Sequence, residues 1–137
     1  MDGTRLAPLL GIAGCLAALG ALATPYALVA DASAVGVYYA TGAINPLLAV
    51  LFCAVSVVVF AAGRQGRTDP ALAAGVALVF GVCIALVAAA WALTVPESVV
   101  FQLSEAAALA THRWALVAVS LSVPAAGAWY ARALGLL

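Results

Sequence analysis

Ten charged side chains cut this chain into uncharged runs too long and too apolar for a water-soluble fold. The runs cover residues 6–30, 32–63, 70–96 and 114–131, or 25, 32, 27 and 18 residues. A helix rises about 1.5 Å per residue, so about 20 residues cross a hydrocarbon core about 30 Å thick. Each run reaches or nearly reaches that length. Charged residues make up 7% of the chain, against about 25% in an ordinary soluble domain. The chain therefore reads as one all-α integral membrane domain over 1–137, a four-helix bundle.

Turn chemistry trims the spans to about 6–30, 46–62, 70–94 and 112–132. Asn45-Pro46 and Thr68-Asp69-Pro70 each set a capping side chain before a proline whose missing N–H does no harm in the first turn. Gly63 is the expected C-terminal cap of the second span, and Pro96 stops the third. Pro25 is expected to kink or end the first. A cleaved leader ending near Ala21-Leu22-Ala23 is the competing reading, but the apolar run before it is already long for one.

The stretch GRQGRTDP at 63–70 holds two of the five basic residues, all of them arginine. In the four-span arrangement Arg5, Arg64, Arg67 and Arg132 lie at one end and Arg113 at the other. Basic residues in short loops stay in the cytoplasm, so both termini are expected there, with Arg5, Arg64, Arg67 and Arg132 as topology anchors. Binding of lipid phosphates by Arg64 and Arg67 is the alternative. A formal net charge of zero offers no basic face to nucleic acid.

The outer face carries more sequence. In the connection 31–44, Tyr38 and Tyr39 suit an interfacial anchor. In 97–110, Val99, Leu103, Ala106 and Ala110 recur at helical spacing, which predicts a short interfacial helix in this second outer loop. Glu105, His112 and Arg113 form a candidate ligand site, with Glu105 as the expected partner of Arg113. Trp114 and Trp129-Tyr130 read as aromatic belts at the two ends of the fourth span. Cys15, Cys53 and Cys83 stand apart, without the spacing of a metal or redox motif, and read as packing residues. No cofactor or metal is implied.

Apart from His112, Arg113 and Arg132 at the two ends of the fourth, the four spans contain no charged residue or histidine of the kind that marks pumps and proton-coupled carriers. Ala73, Ala77, Gly81, Ala85 and Ala89 recur every fourth residue, a stripe that lets helices approach closely in lipid. These features favour a non-enzymatic protein acting by association with a membrane partner or its own copies, as accessory subunit, scaffold or self-assembling bundle. The alternative is a channel or carrier for a small neutral or apolar solute near Pro25, Asn45 and Pro124. No nucleophile and base fall together, so an enzyme is the least favoured class.

Residues 45–81 and 112–135 resemble small four-span membrane proteins of halophilic archaea, grouped as a family of unknown function. The most recognisable pieces are G-R-x-G-R-T-D-P-A-L at 63–72 and A-W-Y-A-R-A-L at 128–134. The resemblance implies an archaeal plasma membrane and the same topology, and no activity.

Overall fold

A computed structural model describes residues 2–101 and 106–137, and side chains outside 100–110. Among the described residues there are six helices and no strand: α1 (Gly3–Leu28), α2 (Ala32–Ala40), α3 (Leu48–Arg64), α4 (Pro70–Thr94), α5 (Glu97–Phe101) and α6 (Ala106–Ala133). The four long helices form a ring in which α1 packs on α3, α3 on α4, α4 on α6, and α6 back on α1. Successive helices run in opposite directions. A Cβ added at Gly3 would lie 3.2 Å from Ala133 Cβ, and Arg64 Nε donates to the Arg5 carbonyl at 3.2 Å, so these helix ends share one end of the bundle. Helices α1, α4 and the 111–133 part of α6 are long and apolar enough to cross a membrane. Helix α3, with 17 residues, is about 26 Å long.

Local chemistry sets the helix ends. Asp69 caps α4 by accepting from Ala71 N at 2.9 Å, with Pro70 in the first turn. Asp2 and Asp31 cap α1 and α2 in the same way, through Thr4 N and Ser33 N. Asn45 accepts from Leu47 N at 2.9 Å, and the regular helix begins at Leu48. Gly63 is not the cap of α3. The helix continues to Arg64, and Gly66 takes the left-handed conformation at φ +70°. Arg67 N then bonds Ala62 O at 2.9 Å and Gly66 N bonds Gly63 O at 3.3 Å, the paired bonds of a Schellman ending. Gly135, at φ +76°, ends α6 likewise.

Gly63 is needed for packing: a Cβ there would stand 2.6 Å from Ala73 Cβ and 2.8 Å from Tyr130 Oη. The small-residue stripe of α4 faces inward over its first half. Ala73, Ala77 and Gly81 are buried, whereas Ala85 and Ala89 are half-buried. A Cβ on Gly81 would come within 2.7 Å of Pro124 N and 2.8 Å of Pro124 Cα. In return, one on Gly127 would come within 2.9 Å of Leu78 Cα. Helices α4 and α6 therefore touch backbone to backbone at two reciprocal points. Phe60, Ile84, Trp91, Leu116, Val123 and Tyr130 fill the centre, all nearly or fully buried.

The connections differ from expectation. The first contains a nine-residue helix, α2, where no helix is predicted. Its Tyr38 and Tyr39 are fully buried, so they are core residues and not interfacial anchors. In the second, α5 has five residues and α6 already begins at Ala106. The expectations for Leu103 and Glu105 lie outside the described residues.

Candidate functional site

The densest polar arrangement lies at the end of the bundle away from the four arginines, and a proline creates the need for it. Pro25 sits inside α1 without an N–H, so the carbonyl of Ala21, one turn earlier, lacks its helical donor. His112 on α6 supplies one, with Nε2 2.6 Å from Ala21 O. A carbonyl oxygen can only accept, so Nε2 carries the proton. Nδ1 is then the acceptor for the Tyr38 hydroxyl, 3.0 Å away. Tyr39 donates to the neighbouring Leu22 carbonyl at 2.6 Å, and Trp91 Nε1 donates to Tyr38 O at 3.3 Å. Tyr38 meets Trp91 edge-on at 5.0 Å and stacks on Tyr39 at 5.3 Å between ring centroids. Burial pushes both phenols above their ordinary value, so they remain O–H donors. Both ring nitrogens of His112 are engaged, which makes it a structural clasp between α1, α2 and α6.

The expected ligand site is not assembled. His112 turns inward, while Arg113 reaches Glu97 at 3.5 Å and lies 5.4 Å from the Trp114 ring. Glu97 thus takes the role expected of Glu105, which lies outside the described residues. Of the aromatic belts, Trp114 and Trp129 are exposed, but Tyr130 is buried against Gly63 and Phe60. Sequence reading missed the clasp, although a proline inside a helix announces a carbonyl in search of a donor.

At the opposite end, Arg5 and Arg64 open onto one pocket of about 320 Å³, together with Thr4, Gly63, Gly66 and Tyr130. Arg67 does not line it. Among the described residues the ion pair found is Arg113–Glu97, and none involves Arg5, Arg64, Arg67 or Arg132. In mid-bundle, Cys15 on α1 and Cys53 on α3 are buried free thiols close enough to influence each other. Two cysteines read as isolated are therefore neighbours. The hydroxyls of Ser56 and Ser120 are buried without a partner.

A fourth feature faces outward. Between α1 and α6 runs a groove of about 520 Å³, floored by Gly14 and Ala126 and edged by the exposed Ala13, Ala17, Ser122 and Ala125. A side chain on Gly14 would collide with Ser122 Oγ, so α1 and α6 approach closely along this floor.

The model of a family of unknown function (DUF7548) matches residues 1–135 of the chain. No curated protein and no solved structure matches it.

Proposed function

We propose that this chain, which belongs to that family of unknown function, is a multi-pass membrane protein that works non-enzymatically, by binding another membrane helix. The observation that carries the reading is the groove between α1 and α6. Lipid provides no hydrophobic drive for helices to associate, so association depends on small residues that admit a second backbone. The buried half of the α4 stripe is taken up inside the bundle, Ala73 against Gly63 of α3 and Gly81 against Pro124 of α6, whereas Ala13, Ala17, Ser122 and Ala125 remain exposed. The bundle centre is occupied by large side chains, which favours association over conduction. The four arginines at one end support an orientation with that end, and both termini, in the cytoplasm. The archaeal resemblance supports a plasma membrane.

Filling the groove tests this. If the chain is extracted from membranes as a larger species, as the proposal requires, Ala13→Phe with Ala17→Phe is expected to abolish that species and to leave the melting temperature in detergent within a few degrees of wild type. An unchanged assembly with both phenylalanines in place overturns it. A second reading, a path for a small neutral solute, draws on the partnerless hydroxyls of Ser56 and Ser120. It requires solute flux in reconstituted vesicles that falls on Ser56→Val, a result association does not produce.

A further inference from the structure

We infer that the pocket formed by Arg5, Arg64 and Tyr130 binds a phosphate group. Three chain segments meet there: the first turn of α1, the end of α3 with its turn into α4, and the end of α6. The turn is rigid, because the Schellman bonds through Gly66 and Arg67 and the Asp69 cap fix both sides of it. Arg64 Nε donates to the Arg5 carbonyl at 3.2 Å, which orients that guanidinium and leaves its two terminal nitrogens unused. The Tyr130 ring is buried, and its hydroxyl reaches the pocket because Gly63 has no side chain to block it.

The charges are unbalanced. Asp2 and Asp69 are the acidic side chains at this end among the described residues, and both are occupied as helix caps on Thr4 N and Ala71 N. Neither forms an ion pair with Arg5 or Arg64, although Asp2 feels the charge of Arg5 from a distance. Two guanidinium forks and a hydroxyl offer more donors than a carboxylate can accept, and they suit the several oxygens of a phosphate. The pocket lies where apolar helices end, and Trp129, exposed near Gly3 next to the pocket's lining residue Thr4, is the residue type that favours the headgroup level. The phosphate can come from a phospholipid or from solution, and the recognising chemistry is the same. The residues differ from the pair singled out by sequence, since Arg67 stands outside the lining.

The test uses the full-length protein in a non-ionic detergent. Thermal unfolding is followed with added phosphatidylglycerol, with diacylglycerol of the same chains, and with inorganic phosphate; bound lipid is counted by native mass spectrometry. Phosphatidylglycerol is expected to bind and stabilise, and diacylglycerol is not. Stabilisation by millimolar inorganic phosphate as well identifies a site open to free phosphate; its absence identifies a headgroup site. The double change Arg5→Lys with Arg64→Lys keeps the charges and removes the forks, and it is expected to weaken binding about tenfold. Tyr130→Phe keeps the packing and is expected to weaken binding severalfold, which covers the case of a poorly folding lysine variant. Arg67→Lys with Arg132→Lys should leave binding within about twofold. The inference is overturned if neither phosphate ligand stabilises, if diacylglycerol matches phosphatidylglycerol, or if the pocket variants bind as wild type does.

Discussion

The bond between His112 Nε2 and Ala21 O joins residues 91 positions apart, and it exists because Pro25 withholds a donor. This gives a test by mutual compensation. His112→Ala leaves the partly buried Ala21 carbonyl without a protein donor, at a cost of about 1–3 kcal/mol. Pro25→Ala restores an N–H to that carbonyl. In its background His112→Ala should therefore cost measurably less, and equal costs in a double-mutant cycle read by thermal unfolding would refute the clasp. Tyr38→Phe, which removes the donor to Nδ1, is expected to cost about 0.6 kcal/mol, the average for hydrogen bonds measured within membrane proteins. The sequence carried half of this: Pro25 is visible as a broken helical bond. Its partner was not visible, because a lone histidine at a helix boundary looks the same whether it faces a ligand, water or a carbonyl.

Among the elements, α4 and α6 depend most on a shape that single atoms can spoil. Gly81→Ala pushes a methyl into the backbone of Pro124, and Gly127→Ala pushes one into Leu78. Backbone cannot move aside as a side chain can, so each should destabilise by about 1–3 kcal/mol. Gly75 and Gly20, with nothing near their missing side chains, should accept alanine with a gain of about 0.5–1 kcal/mol. Chemical unfolding of the four variants separates the two classes. Helix α2 depends on its cap: hydrogen bonds from Ser33 hold the Asp31 carboxyl below its ordinary range. A depressed folded value means that the stabilisation is present above the unfolded pKa of about 4 and is lost as pH falls through the folded one. The near-ultraviolet signal of the neighbouring Tyr38–Trp91 pair should therefore weaken in acid, and Asp31→Asn should remove that dependence. The cap at Asp69 was legible, because a few adjacent residues decide it; Asn45 instead braces the turn through Leu47 N, and α3 starts later than expected, at Leu48. Helix α2 was not legible, because ASAVGVYYA is apolar but for Ser33 and its tyrosine hydroxyls and lacks the periodicity that sets a helix apart from a buried loop.

At the scale of the molecule, uncharged stretches bounded by ten charges foretell four long helices, and alternation of direction brings Arg5, Arg64, Arg67 and Arg132 to one end. What the sequence could not disclose is which small residues are used up inside and which are left over. Alanine is abundant on every long helix, and only the helix crossings decide that Ala73 meets Gly63 while Ala17 is left exposed in the groove. Orientation can be checked by labelling single cysteines placed at Gln65 and Asp31 in a cysteine-free background. Residue 65 should react from the cytoplasmic side and residue 31 from the other. The central claim is association through the α1–α6 groove, and photo-crosslinking in native membranes addresses it most directly. A photoreactive side chain at Ala17 is expected to yield a discrete protein adduct, of this chain or of a partner, while one at the exposed Leu86 on α4 yields lipid adducts. Lipid adducts alone at Ala17, as at Leu86, would contradict the claim.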